Sequence, residues 1–197
     1  DLRPVRAGGG ARRFFAAALV GLALAGLVVS ALWGIREGDV LGAVLAKSAY
    51  CLLAVAAFAP LAFALSRPNT RARELLVPTV LLVVASLATA SLIIAGAEAS
   101  ARLSTWLAGG FPECLRRIPI LAAPVAVVLL FVVRGMSPTR LTLAGAALGG
   151  LSGAIAAVAY SLFCPVDSVA YVTTWYLVAI LVCAGIGAAT GKWLLRW

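Results

Sequence analysis

Six apolar runs without a charged side chain follow one another along this chain. They cover residues 14–33, 48–66, 75–96, 118–133, 141–163 and 170–190. A helix of about 20 apolar residues crosses a hydrocarbon core about 30 Å thick. The runs show no alternation of polar and apolar positions, which a membrane barrel would require. The pattern therefore predicts an all-α integral membrane protein built as a six-transmembrane-helix bundle.

The composition supports one membrane domain. The chain is 63% hydrophobic and 12% charged, which is too apolar for a soluble domain of 197 residues. Residues 14–197 form the predicted transmembrane domain, and residues 1–13 form a cytoplasmic leader. Because the chain starts at Asp1 without a methionine, we expect this leader to be truncated.

The basic residues predict the orientation of the helices. If the N-terminus is cytoplasmic, eleven Lys and Arg residues fall in cytoplasmic segments and five in outside connections. Cytoplasmic segments of membrane proteins carry such an excess. Both termini are therefore predicted to be cytoplasmic. The net charge of +9 follows from this topology, so we expect a lipid bilayer and not nucleic acid around the chain.

A regular glycine spacing in the fifth run predicts a close helix contact. Gly145, Gly149 and Gly153 recur every four residues and lie on one face of a helix. Another backbone can approach such a face closely. We expect helix packing within the bundle at these glycines, and a homodimer interface is the alternative.

The sequence lacks the residue patterns that indicate catalysis or ion transport. The chain has no histidine, and the six runs contain no ionisable group that would pass a proton or an ion across the membrane. We expect Ser86, Thr89, Ser91 and Ser152 to bond to carbonyls of their own helices or to a neighbouring helix and not to line a pore. The glycine spacings lie in apolar helices, where they do not form a nucleotide-binding loop. We predict neither enzymatic activity nor a cofactor.

Two of the four cysteines lie in connections predicted to be outside. Cys114 precedes the fourth run and Cys164 follows the fifth, which places both on the same face. In a double-membraned bacterium this face is the oxidising periplasm, where disulfides persist. One interpretation is a permanent disulfide between two helices. The other is a thiol pair that responds to an oxidant or to a soft metal ion.

Charged neighbours of the cysteines favour the responsive pair. Arg116 and Arg117 follow Cys114 closely, and nearby positive charge favours the thiolate, which is the reactive and metal-binding form. Thiolates also suit soft metal ions. Glu113 and Asp167 are the available candidates for further ligands.

Segments around the two cysteines resemble a known family. The runs Phe163-Cys164-Pro165-Val166-Asp167-Ser168, Thr174-Trp175-Tyr176 and Cys114-Leu115-Arg116-Arg117-Ile118-Pro119 resemble the NrsF family of bacterial membrane proteins. The opening Asp1-Leu2-Arg3-Pro4-Val5 is similar to that family's cytoplasmic leader. The resemblance covers essentially the whole chain.

The resemblance implies a function that composition alone does not. The family comprises negative regulators of an extracytoplasmic-function sigma factor, which implies a multi-pass anti-sigma factor in the bacterial inner membrane that releases its partner on a stress signal. It implies that Cys114 and Cys164 form the sensor and that residues 1–5 contact the sigma factor. The supporting residues of the sensor connections are Glu113, Arg116, Arg117, Pro165 and Asp167. A small-solute transporter or channel and a structural membrane subunit are the alternatives.

Overall fold

Helices account for nearly all of the structure, a computed structural model that describes residues 9–34, 41–68, 72–108 and 112–196. Within these ranges the helices are α1 (Gly9–Leu32), α2 (Leu41–Leu65), α3 (Arg73–Gly96), α4 (Arg102–Leu107), α5 (Cys114–Arg134), α6 (Leu141–Ser161) and α7 (Val169–Leu194). All except α4 are long and apolar enough to cross a membrane. The predicted six-helix membrane fold is confirmed, and the chain is a multi-pass membrane protein.

Five of the six membrane helices begin before their apolar runs, while α6 lies within its run. α2 begins at Leu41, so Lys47 lies inside this helix and not in a connection. α5 begins at Cys114, which the apolar pattern had assigned to the preceding connection. Exposed arginines in the first turns of a helix, such as Arg12 and Arg13, keep their stems in apolar surroundings and their charges near water. Residues 9–13 of the leader form the start of α1, while Asp1-Leu2-Arg3-Pro4-Val5 lies outside the described residues.

The helix α6 occupies the centre of the bundle. In its span 72% of the residues are buried, compared with 11% in the peripheral α3. It packs against α1, α2, α5 and α7. Most of its buried residues are alanine or glycine, so neighbouring backbones can come close to its axis.

The glycine face of α6 packs against α7. A Cβ atom on Gly145 would collide with the backbone of Gly187, and one on Gly149 would collide with the carbonyl of Cys183. A Cβ atom on Gly153 would lie 2.9 Å from the Cβ of Cys183. These three glycines therefore lie in a helix contact within the chain, where no larger side chain fits.

Hydroxyl groups inside the spans bond to their own helices. Ser86, Thr89 and Ser152 each donate to the carbonyl four residues earlier, at 2.7 to 2.8 Å. Such bonds satisfy a hydroxyl that has no access to water. The expectation for these three residues is confirmed.

The contact between α6 and α7 predicts different effects on stability for two glycine substitutions. Gly149→Ala inserts a methyl group into the α7 backbone, and we expect it to lower the free energy of unfolding by roughly 1–3 kcal/mol, as overpacking does. Gly185→Ala is the matched control, because a Cβ atom at Gly185 meets open space. It should be neutral or slightly stabilising, since alanine favours a helix. Unfolding in SDS measures both, and equal stability of the two variants would contradict the close contact.

Candidate functional site

Cys114 and Cys164 lie at the same end of the bundle, which is called the cysteine end below. Cys114 is the first residue of α5, and Cys164 lies shortly after the end of the antiparallel α6. They are 0% and 1% exposed, and Tyr171, which bonds to Cys114, lines the same pocket as Cys164. All four cysteines belong to the described residues, and none of them forms a disulfide.

Two tyrosines line the surroundings of these thiols. The Cys114 thiol donates a hydrogen bond to the Tyr171 hydroxyl at 3.4 Å. The Cys164 thiol donates to the Val166 carbonyl at 3.9 Å, and the buried Tyr176 side chain places its hydroxyl next to Cys164. Both sulfur atoms are therefore shielded from water in this state of the protein.

The two tyrosines flank an irregular part of α7. Residues Val172–Tyr176 form a π-helical segment, in which the backbone turns are wider than in an α-helix. Thr173 and Thr174 donate from their hydroxyls to carbonyls four residues earlier, each at 2.8 Å. Single π-helical turns occur frequently at functional sites. This segment sets the spacing of Tyr171 and Tyr176 around the thiols.

Arg116 and Arg117 form their ion pairs with Glu113. The distances from the two guanidinium groups to the Glu113 carboxylate are 2.9 and 3.2 Å. Arg117 also lies 5.0 Å above the ring of Trp33 and 5.1 Å above the ring of Phe163. The positive charges that were expected to favour a Cys114 thiolate are thus compensated by a carboxylate.

The Glu113 cluster positions the start of α5. The hydrogen bond from Arg116 holds the pKa of the Glu113 carboxyl below its usual range, although desolvation acts in the other direction. Glu113 therefore stays ionised at neutral pH, and the pair is lost only as the pH falls through this lowered pKa. Because exposed ion pairs contribute little stability, the cluster acts mainly by holding Arg117 between two aromatic rings.

A buried lysine binds the connection that carries Cys164. This connection, residues 162–168, is called the cysteine loop below. The Lys47 ammonium donates to the Cys164 carbonyl at 2.6 Å and to the Val166 carbonyl at 3.1 Å, and it pairs with the Asp167 carboxylate at 2.8 Å. Lys47 is only 4% exposed, and a buried ammonium group requires such a set of oxygen partners. These contacts fasten the cysteine loop to α2.

Aromatic contacts fasten the cysteine loop to α1 as well. The Trp33 ring lies 5.9 Å from the ring of Phe163 and 6.4 Å from that of Tyr160. At the next residue of α2, the hydroxyl of Ser48 bonds to that of Ser161, the last residue of α6, at 2.8 Å. Pro165 lies in the same loop, at the wall of a pocket of about 330 Å³ that also contacts Cys164. The ends of α1 and α2 thus hold the loop together.

A metal site at the cysteines lacks further ligands among the described residues. No group of three Cys, Asp, Glu or His side chains lies close enough to bind one ion in this part of the chain. The two carboxylates considered as ligands have cationic partners, since Asp167 pairs with Lys47 and Glu113 with the arginines. A soft metal ion would have only the two thiols unless these pairs broke.

The sequence did not predict the role of Lys47. Its charge was counted only as part of an outside connection, and its position directly before the second apolar run is typical of an interfacial lysine. The available signal was charge complementarity with Asp167, the carboxylate of the cysteine loop. That signal becomes specific only when the fold brings the two residues together.

Comparison with known proteins shows to which family this chain belongs. Residues 1–197 match the family described as "NrsF: Negative regulator of sigma F". The chain belongs to the NrsF family. It is 41% identical over 85 residues to the anti-sigma-F factor NrsF of Caulobacter vibrioides, which covers 43% of this chain and 40% of that protein. No solved structure matches the chain.

A second NrsF relative is matched over a longer segment. The chain is 35% identical over 147 residues to the probable anti-sigma-F factor NrsF of Azospira oryzae, which covers 75% of this chain and 68% of that protein. The matched segments thus span less than half of the Caulobacter protein and about two thirds of the Azospira protein. The family resemblance seen in the sequence is confirmed.

The contacts of Lys47 predict how the cysteine loop responds to its removal. Lys47→Met keeps the apolar stem but deletes three contacts, at a cost of roughly 1–3 kcal/mol for the groups left without partners. In a background where Cys164 is the only cysteine, we expect alkylation by a maleimide to become about tenfold faster. Lys192→Met, which removes a lysine from the last turn of α7, is the control and should leave the rate unchanged. An unchanged rate in Lys47→Met would mean that other contacts hold the loop.

Proposed function

We propose that this protein is an anti-sigma factor of the bacterial inner membrane, which holds an extracytoplasmic-function sigma factor and releases it when the periplasmic cysteines are modified. The observation that carries the proposal is the family match over residues 1–197. The two relatives matched here are named as an anti-sigma-F factor and a probable one. The proposed role is regulatory and involves no catalytic step.

The charge difference between the two ends of the bundle supports cytoplasmic termini. Among the described residues, the end opposite the cysteines carries one acidic residue, Glu74. Its basic residues are Arg12, Arg13, Arg67, Arg73, Arg134, Arg140, Lys192 and Arg196. The cysteine end is nearly balanced, with Lys47, Arg102, Arg116 and Arg117 against Glu98, Glu113 and Asp167. Because cytoplasmic segments collect basic residues, the cysteines face the periplasm in this proposal.

The signal in this proposal is a chemical change at Cys114 and Cys164. In the simplest case a two-electron oxidant joins them: two S–H bonds break, one S–S bond forms, and the oxidant takes up two electrons and two protons. A disulfide needs a Cα–Cα distance of about 4.4–6.8 Å and a defined torsion. To reach that geometry the two sulfur atoms must leave their present partners, the Tyr171 hydroxyl and the Val166 carbonyl, and in this proposal the cysteine loop shifts relative to α5 as they do so. Capture of a soft metal ion by both sulfurs would act on the same two elements.

The shift of the cysteine loop is passed on through Lys47. Three contacts tie residues 164–167 to α2. If the loop moves, either α2 moves with it or those contacts break. Modification of the thiols then changes the relative stability of two packings of the bundle. The sigma factor is released because it binds one of these packings more tightly. Residues 1–5 of the leader contribute to its binding.

The proposed partner can be tested with the full-length protein in lipid nanodiscs. We expect the reduced protein to capture a sigma factor from the same organism and to release it after treatment with an oxidant. Mass spectrometry identifies the captured protein, and a solute-flux assay in vesicles examines the transporter alternative. Failure to capture any sigma factor would contradict the proposal.

The two cysteines of the cysteine end should be individually necessary for the response. In cells that report sigma-dependent transcription, we expect Cys114→Ser and Cys164→Ser to abolish induction by the oxidant. Each variant leaves one thiol without its partner. Cys183→Ala is the control, because Cys183 lies in the middle of α7 against Gly153 and should not affect the ratio of induced to uninduced transcription. Unchanged induction in both serine variants would reject the sensor role.

A further inference from the structure

A basic pocket lies at the end of the bundle opposite the cysteines. It has a volume of about 860 Å³ and is formed by the start of α1, the end of α2, the end of α5 and the turn after α5. Arg13 and Arg67 supply two guanidinium groups to its wall, and Phe131 and Met136 supply apolar surface. A concave site that combines apolar side chains with a few charged groups is typical of a binding pocket.

The position of Arg67 in this pocket is set by its neighbours. Its guanidinium group lies 4.0 Å from the centre of the Phe63 ring, a cation–π contact. On the α1 side, the Arg67 guanidinium and the Met136 methyl group would lie 3.9 and 3.8 Å from a Cβ atom on Gly10. Gly10 therefore lies within van der Waals range of both groups, at the α1 side of the pocket.

The two guanidinium groups have no acidic partner in the described part of the chain. The carboxylate ion pairs found there involve Lys47, Arg116 and Arg117, all at the cysteine end. Guanidinium groups bind carboxylates in a planar, paired geometry and bind them more strongly where water is partly excluded. The pocket thus offers two cations and an apolar wall to a ligand that carries carboxylates.

We propose that this pocket receives an acidic segment of the sigma factor, whose carboxylates pair with Arg13 and Arg67 and whose apolar side chain packs on Phe131 and Met136. This inference rests on the proposed function and adds the contact surface to it. Charge complementarity favours an acidic partner, because the whole end around the pocket is positive. The apolar wall favours a protein segment over a free phosphate ion, which would need the cations alone.

The location of the pocket explains how the cysteines control it. α2 carries Lys47 near one end and is followed by Arg67 at the other, and α1 carries Arg13 near its start and is followed by Trp33. Both helices therefore contact the cysteine loop at one end of the bundle and contribute a guanidinium group to the pocket at the other. A change in their relative position alters the separation of the two cations, and hence the affinity for the acidic segment.

Charge reversal with a matched control tests the pocket. The double variant Arg13→Glu/Arg67→Glu changes the pocket, while Arg73→Glu/Arg140→Glu makes the same change of net charge on exposed arginines of the same end outside it. In nanodiscs we expect the pocket variant to bind the sigma factor more than about tenfold more weakly and the control to stay within about threefold of the wild type. Arg13→Gln/Arg67→Gln, with unfolding in SDS as the fold check, should also lose affinity.

Each outcome of this experiment decides the assignment. Restored binding of the pocket variant to a sigma factor with an acidic residue changed to lysine would support it. Full affinity of the pocket variant, or an equal loss in the control, would overturn it. Reduced binding of phosphatidylglycerol with unchanged affinity for the sigma factor would assign the pocket to lipid and also overturn it. If the wild type captures no sigma factor, the proposed function itself fails and the pocket assignment fails with it.

Discussion

The arrangement of the cysteine end depends on the Lys47 ammonium group. Its oxygen partners at 2.6, 2.8 and 3.1 Å all belong to residues 164–167. A buried charge is tolerated only when it is paired and hydrogen-bonded, so these contacts form or break largely together. The cysteine loop is therefore fastened to α2 by an interaction that resists small displacements and fails as a unit under larger ones. This behaviour suits a response with two states.

The rest of the bundle divides into a tightly packed centre and helices that surround it. The glycine face of α6 lets the backbone of α7 approach so closely that no Cβ atom fits between them. α2 touches the same centre through the Phe58 ring, which lies where a Cβ atom on Gly150 would be. Because α6 and α7 have little room to move, a shift of the cysteine loop is more easily passed to α1 and α2 than absorbed between the central helices. In the proposed mechanism, that preference directs the signal toward the basic pocket.

The features that depend on the periodicity of the sequence could be predicted from it. The ion pair between residues far apart in the sequence could not. Each span had to be apolar, so the six runs located the helices, and four-residue spacing located the contact at Gly149. The alternation of spans brought Cys114 and Cys164 to one end. The pairing of Glu113 with Arg116 and Arg117 also has a local signal, since residues three and four apart meet on a helix. Lys47 and Asp167 lie on distant elements, and no spacing marks such a pair.

The central claim is that Lys47 couples the cysteines to the binding of the sigma factor. It is tested most directly by the ratio of the dissociation constant of the oxidised protein to that of the reduced protein. The dissociation constant for the sigma factor is measured with the reduced and with the oxidised full-length protein, in the wild type and in Lys47→Met. The account predicts that oxidation weakens binding by the wild type and that this ratio approaches one in Lys47→Met. The same ratio in both proteins would contradict it.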